Sequence, residues 1–250
     1  MVQYPARRAK NYRTAVRESA GGKRFRYADS AVDKDSWELK LTGLGANERQ
    51  AIDAVFVAAE GRLRAFTFLD PFDNLLAYSG ELILSAWFKD AGVLLVDGQV
   101  DAFGGTSAAR ITNPTNAARR VYQLIAAPAG YRYTLSAYAK WVGSGVLRLV
   151  LGGEVAPGVR EFTSAGEWSR LEFSAQWSGN VEVVLAGFEL PAMSEVVVCG
   201  AQLEPSAAAT LYKATNARSG VRRCRFADDG LHWVADGPGL SSTRIVLTTI

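Results

Sequence analysis

The chain has 250 residues, 48% of them apolar and 21% charged, with a formal net charge of +3. That apolar fraction is enough for two cores and excludes a disordered chain, while so small a net charge excludes nucleic-acid binding driven by the charge of the whole chain. With Cys199 and Cys224 as its only cysteines, it holds no disulfide framework.

The N-terminal segment is the basic part of the molecule, with Arg7, Arg8, Lys10, Arg13, Arg17, Lys23, Arg24 and Arg26 ahead of most of the acids. No apolar stretch of about 7 to 15 residues follows these charges, so a secretory signal is not expected. No run approaches the roughly 18 apolar residues of a spanning helix, and membrane insertion is not expected either.

Residues from about 1 to 76 read as strands around one helix. Trp37, Leu39 and Leu41 alternate with Ser36, Glu38 and Lys40, the period of a half-buried strand. The period then changes. Asn47 is placed to cap a helix with Gln50 at its third position; Ile52, Val55, Phe56 and Ala59 follow at helical spacing, and Gly61 is placed to end it. A helix is therefore expected over Glu48 to Glu60. Leu63 to Leu69 returns to strand character, with Phe66 and Phe68 on one face, until Asp70-Pro71 breaks it.

From about 77 to 212 the pattern is all-β. Tyr131, Tyr133, Leu135, Ala137, Ala139 and Trp141 share one face against Arg132, Thr134, Ser136, Tyr138 and Lys140. Alternating or apolar runs recur at 146–151, 168–177, 181–188 and 195–203, separated by Gly, Pro, Asn or Ser. Short strands at such spacing predict a β-sandwich of jelly-roll type. Residues 213–250 read as two or three further strands, with a hairpin turn at Asp229-Gly230 and an irregular connection at Gly237-Pro238-Gly239. That tail is too short for its own core, and the first domain is the economical place for it to pack. Arg24 to Ser30 and Arg223 to Asp229 share the order Arg, any, Arg, aromatic, Ala, Asp, a match too short to establish a repeat.

The search for catalytic chemistry is short. His232 is the only histidine, so a Ser-His-Asp triad, a Cys-His pair or a histidine-based metal site would each have to use it. It stands beside Trp233 in a strand-like stretch, where a structural role is expected. Cys199, among Val196, Val197 and Val198, reads as an inert buried thiol; Cys224, among Arg222, Arg223 and Arg225, reads as a thiol whose ionisation is favoured if it is exposed. Glu154, Glu161, Glu167 and Glu172 are carboxylates of the β-domain, expected on its outer faces rather than as a hydrolytic pair. No phosphate loop is present, Gly104-Gly105 lacks the context of a dinucleotide site, and no cofactor or metal is expected. Sugar binding is the remaining chemistry. Its candidate contacts are Tyr138, on the polar face of its strand, and Trp87, Trp141 and Trp177, at strand ends or near turns.

Three groups of motifs carry a resemblance. The helix followed by Phe66-Thr67-Phe68-Leu69-Asp70-Pro71 resembles the N-terminal region of distal tail and minor tail proteins of tailed bacteriophages. Val221 to Leu231, with Ser241 to Leu247, is similar to the C-terminal end of distal-tail-like proteins of phages and gene transfer agents. Tyr133 to Lys140, Trp168-Ser169-Arg170 and Gly200-Ala201-Gln202-Leu203-Glu204 resemble carbohydrate-binding-module-like jelly rolls of phage tail proteins. The resemblance implies a mainly β chain: a small split barrel or sandwich with one α-helix, made of residues 1–76 and 213–250, interrupted by a jelly roll at 77–212.

It further implies a non-enzymatic virion protein of the tail tip, assembled in the host cytoplasm. The split domain would form a homo-oligomeric ring, with a hexamer as the expected form, joining the tail tube protein to the tail-tip proteins while DNA passes through its lumen without specific binding. Arg7, Arg8, Arg24 and Arg26 are the candidate ring or tube contacts. The alternative reading is an adhesion module in which the jelly roll attaches the particle to host surface glycans.

Overall fold

The computed structural model describes residues 5–12, 14–28, 34–141, 144–178 and 183–250. Arg13, Asp29, Ser30 and the start of the 181–188 run lie outside them. The chain is mainly β, with one helix among the described residues. In chain order the elements are β1 (Ala6–Asn11), β2 (Thr14–Glu18), β3 (Arg24–Ala28), β4 (Lys34–Leu44), α1 (Ala46–Ala58) and β5 (Phe66–Leu69). There follow β6 (Phe88–Lys89), β7 (Leu94–Gln99), β8 (Ala108–Asn113), β9 (Arg119–Ala126), β10 (Arg132–Trp141), β11 (Ser144–Gly153), β12 (Gly158–Ala165), β13 (Ser169–Gln176), β14 (Val183–Leu190) and β15 (Ser194–Glu204). The last three are β16 (Val221–Phe226), β17 (Val234–Gly237) and β18 (Leu240–Thr249). The chain divides into two compact units, one of residues 1–68 and 222–250 and one of residues 69–221.

The first unit is a sheet in the order β1-β4-β18-β16-β5, with β17 also paired to β18. The alternation in β4 turns Trp37, Leu39 and Leu41 inward, where they meet Phe68, Cys224, Phe226, Ile245 and Leu247. Phe226 joins this core to the helix, its ring lying 4.9 Å from Phe56 and 5.0 Å from Phe66. Only Ile52 and Phe56 of α1 pack on the core, and no residue of the helix is fully buried.

Two local expectations are corrected here. The helix is capped by Gly45 rather than Asn47, because the Glu48 carboxylate reaches back to accept the Gly45 N–H at 3.0 Å. Asp229-Gly230 does not turn a hairpin: β16 pairs with β18, whereas the β17–β18 hairpin closes at Gly237–Leu240, with Gly239 at φ 73°. Asp229 is instead held against the end of the helical region, accepting the Arg62 N–H at 3.1 Å.

The second unit is a sandwich of two antiparallel five-stranded sheets, β13-β10-β15-β8-β7 and β12-β11-β14-β9-β6. Their inward residues form one core, including Trp87, Ile111, Val121, Tyr133, Leu135, Leu147, Leu149, Phe188 and Val198. Sequence neighbours such as β14 and β15 fall in different sheets, so the chain crosses between layers repeatedly.

Residues 69–76 and 213–221, assigned above to the split domain, belong to this sandwich. Leu75 and Leu76 are buried in its core, and the Asn74 amide donates to Ala201 O at 2.8 Å while accepting Leu203 N–H at 2.9 Å. The two ends of the unit are tied together by Asp70 N–H to Gly220 O at 2.8 Å and Gly220 N–H to Asn74 O at 2.7 Å.

Candidate functional site

Each sheet of the sandwich has one face in the core and one outward, and the two outward faces differ. On the β13-β10-β15-β8-β7 sheet, alternation turns Thr134, Ser136, Tyr138 and Lys140 outward from β10, and Arg170, Glu172 and Ser174 outward from β13. Much of this surface is covered by the chain itself. Residues 206–213 run back over it: Thr134 donates to Ser206 O at 2.7 Å, Ser174 to Ala207 O at 3.1 Å, and Arg170 to Thr210 O. Glu172 accepts Ala209 N–H at 3.0 Å, and Glu204 accepts both Thr210 N–H at 2.9 Å and Thr210 O–H at 2.6 Å. Burial pushes the Glu204 carboxyl up, but the bonds from Thr210, Lys213 and Gln202 outweigh it and hold the group below the ordinary carboxylate range.

The same covering decides the position of Tyr138. It projects outward, as its alternation predicts, but the Phe103 ring meets it edge-on at 5.0 Å and the Arg170 guanidinium lies 5.5 Å from its centroid. Tyr212 in turn stacks on Phe103 at 5.6 Å. Tyr138 is therefore a packed, half-buried side chain, not an open platform.

The other three sugar-contact candidates are also placed differently from the expectation. Trp87 is 2% exposed, stacked on Phe188 at 5.9 Å, and its indole N–H donates to Tyr78 O at 3.0 Å. Trp141 is equally buried. Trp177 packs on the core and stacks with Tyr133 at 5.3 Å. Trp87 and Trp141 have no free face for a ligand, and Trp177 has one face covered by Tyr133, packing that strand-end positions in the sequence do not reveal.

The outward face of the β12-β11-β14-β9-β6 sheet is different. Register pairs Phe88 with Tyr122, Tyr122 with Gly187, Gly187 with Val150 and Val150 with Val159, so one row crosses all five strands. Phe88 and Tyr122 stack with centroids 5.6 Å apart and planes at 25°, and Phe88 remains 49% exposed. Gly187 is required in this row: a Cβ there would stand 2.3 Å from Val121 O and 2.5 Å from Tyr122 Cα.

The adjacent row is charged, pairing Arg120 with Glu189, Glu189 with Arg148 and Arg148 with Glu161. Arg120 Nε lies 2.8 Å from Glu189 Oε2, Arg148 Nη1 lies 3.1 Å from Glu189 Oε1, and Arg148 Nε lies 3.0 Å from Glu161 Oε2. Glu161 and Glu189 raise the Arg148 pKa further above its ordinary value, so the row is a fixed ladder of charged hydrogen-bonding groups with no net charge. A stacked aromatic pair with Phe88 exposed beside such a ladder places an apolar ring next to directional polar groups.

The sequence reading missed Phe88, Tyr122, Arg120, Arg148 and Glu189. No clear signal was present for Tyr122: Val121-Tyr122-Gln123-Leu124-Ile125 does not alternate in polarity, and the period-two burial of this strand appears only in the fold. None was present for Phe88, because β6 is two residues long. Of the glutamates, Glu161 joins the ladder, Glu172 lies on the opposite sheet, and Glu154 and Glu167 are exposed.

Cys199 and Cys224 are both fully buried, and burial pushes the Cys199 thiol up to about 11. Burial of Cys224 removes the condition under which its arginine neighbours would favour a reactive thiolate. Arg8 is held by Asp35 at 2.8 Å and lies over Trp37, while Arg7 is exposed on β1. Arg24 and Arg26 stand on the exposed β2–β3 hairpin.

No protein-family model matches this sequence, and no curated protein matches it. Among solved structures, the chain is similar to the CBM22-1 xylan-binding domain of Paenibacillus barcinonensis Xyn10C, with 17% identity and a TM-score of 0.46 over 56% of this chain and 99% of that one. It is similar to TmCBM61, solved in complex with β-1,4-galactotriose, with 17% identity and a TM-score of 0.42 over 53% of this chain and 99% of that one. A third likeness is to the enzymatically active domain of tailspike protein 4 of bacteriophage CBA120, with 12% identity and a TM-score of 0.42 over 54% of this chain and 22% of that one. These likenesses assign no role to any residue of this chain.

Proposed function

We propose that the sandwich is a glycan-binding module whose contact surface is the outward face of β12-β11-β14-β9-β6. The observation that carries this reading is the stacked pair of exposed Phe88 and half-buried Tyr122 in register beside the Arg120–Glu189–Arg148–Glu161 ladder. Sugar rings place their C–H faces on the aromatic pair and their hydroxyls against the ladder. Because the ladder is internally neutralised, an uncharged polysaccharide is the better match. Of that row Phe88 and Val159 are exposed while Gly187 and Val150 between them are buried, so the accessible aromatic surface centres on Phe88.

Retention of the full chain on a panel of immobilised neutral polysaccharides tests this. Phe88→Ala is expected to weaken retention at least about tenfold with folding unchanged, since the ring is half exposed. Binding that survives Phe88→Ala together with Arg148→Ala, or no retention on any polysaccharide of the panel, would overturn the reading. Release of reducing sugar during the same incubation, lost on Glu161→Gln, would favour a hydrolase instead.

The setting we propose for the module is the tail tip of a virion, with the split domain as its anchor to tail proteins. This rests on the motif resemblance, and immunolabelling of intact particles tests it.

A further inference from the structure

We infer that the outward face of the β1-β4-β18-β16 strands is a contact surface for the phosphate backbone of duplex nucleic acid, engaged without regard to base sequence. This goes beyond the glycan reading and does not rest on it. The core lies on one side of these strands, where Arg8 sits over Trp37 and where Leu39, Cys224, Phe226 and Leu247 are buried. Alternation turns their neighbours to the other side, and register sets those in rows: Lys40 with Arg244, Arg7 with Glu38 and Val246, and Ala9 with Ser36, Thr248 and Arg225. Arg223 follows two residues from Arg225 on the same side. The five cations Arg7, Lys40, Arg223, Arg225 and Arg244 are all exposed. Among the described residues of these strands, Glu38 is the single carboxylate on the face, and it is engaged with Arg244 at 2.9 Å. Asp228, just past β16, interacts with the same guanidinium. Arg7, Lys40, Arg223 and Arg225 have no carboxylate within ion-pair reach among the described residues, whereas Arg8, Arg49 and Arg62 of the same unit are paired with Asp35, Asp53 and Asp229. Four cations left unneutralised on one face attract a polyanion.

The uncharged members of the face decide which polyanion. Ala9, Ser36, Val246 and Thr248 are small, and no aromatic ring stands on this side of the four strands among the described residues. The face therefore has no anchor for the apolar core of a protein interface, from which charged residues are depleted. It also has no ring on which a sugar or an unpaired base would stack, which separates it from the Phe88 face and from single-strand sites. A duplex keeps its bases stacked inside and presents closely spaced phosphates, so charge alone suffices to hold it. The dimensions agree. The three strand spacings between Arg7 and Arg225 make about 14 Å, and the run from the level of Arg223 to that of Lys40 is about 20 Å long. Arg7 and Lys40 on one side and Arg223 and Arg225 on the other thus suit phosphates on the two banks of a groove about 12 Å wide.

Fluorescence anisotropy of the full chain with a labelled DNA duplex of about 20 base pairs tests the assignment, with circular dichroism to verify the folding of each variant. Each unpaired cation that meets a phosphate releases about one counterion, so the logarithm of affinity should fall against the logarithm of salt with a slope of about −4, a loss on the order of a hundredfold between about 50 and 200 mM salt. Arg223→Ala/Arg225→Ala and Arg7→Ala/Lys40→Ala are each expected to flatten that slope by about two and to weaken binding at least about tenfold, equally for duplexes of unrelated sequence. Arg62→Ala, which removes a cation already paired with Asp229 at 2.9 Å, should change neither quantity. No binding at the lower salt, binding that survives both double variants, or a single strand held more tightly than the duplex would each overturn the inference. So would loss of binding in Arg24→Ala/Arg26→Ala alone, which would place the contact on the β2–β3 hairpin. Tighter binding of a sulfated polysaccharide than of the duplex would overturn it too and make the face a second glycan surface.

Discussion

The sandwich and the split domain use their aromatic residues in opposite ways. In the sandwich, Trp87, Trp141, Tyr133 and Phe188 are enclosed between two complete sheets, and the exposed ring of Phe88 stands on a surface whose polar groups are already paired. Among the described residues of the split domain, ten buried apolar side chains form the core, the helix buries none of its own, and the β2–β3 hairpin is exposed throughout. A unit that satisfies itself has a rigid face left over for a ligand. A unit whose helix and hairpin remain uncovered has less apolar burial to hold those elements in place.

The largest test of this contrast is Trp87→Ala. Loss of a fully enclosed indole is expected to cost about 3–5 kcal/mol in urea unfolding of the sandwich. A cost below about 1 kcal/mol would mean that the sandwich core is not the self-sufficient one.

A second, intermediate effect sharpens the difference between the two sandwich faces. Asp101 accepts N–H bonds from Phe103 at 2.8 Å, Gly105 at 2.8 Å and Ser107 at 3.0 Å, and the Ser107 hydroxyl at 2.7 Å, fixing the loop that holds Phe103 over Tyr138. The Ser107 bonds, followed by those from Gly105 and Phe103, draw the Asp101 pKa down from 3.8 to about 2. A pKa depressed in the folded state stabilises above the unfolded value and is lost as pH falls through the folded one. Stability is therefore expected to decline between about pH 4 and pH 2, and Asp101→Asn should flatten that part of an acid-unfolding curve. The opposite face, proposed above to bind glycan, should retain any such ligand in the variant at neutral pH.

The smallest effect belongs to the β2–β3 hairpin. Arg24→Ala removes an exposed ion pair to Glu18 at 2.9 Å and is expected to change unfolding stability by less than about 0.5 kcal/mol. A loss above about 1 kcal/mol would mean that this hairpin belongs to the cooperative core and not outside it.

The parts of the fold legible in the sequence are those where side-chain period and burial agree. Trp37, Leu39 and Leu41 in β4 alternate as their burial does, whereas in β10 the alternation marks the core face but Thr134 and Ser136 on the other face are buried as well. The helix was legible to within two residues, because Gly45 forms a cap through the Glu48 side chain and not through its own. The sugar-contact candidates were not legible. Whether a tryptophan at a strand end faces inward depends on register with a distant strand, and whether Tyr138 is open depends on residues 206–213 folding back over it. Phe88 becomes significant only because Tyr122, thirty-odd residues away, stands beside it in the sheet.

The bonds between Asp70, Asn74 and Gly220 bring the two ends of the sandwich to a single point, next to β5 and β16, which are neighbours in the sheet of the split domain. To the gene, the sandwich is thus a cassette bounded by two adjacent junctions. Recombination that exchanged residues 70–220 for another domain with equally close ends, or for a short turn, would leave the strand order of the host sheet intact. The outer surface of the sandwich can then change without altering the sheet into which it is inserted.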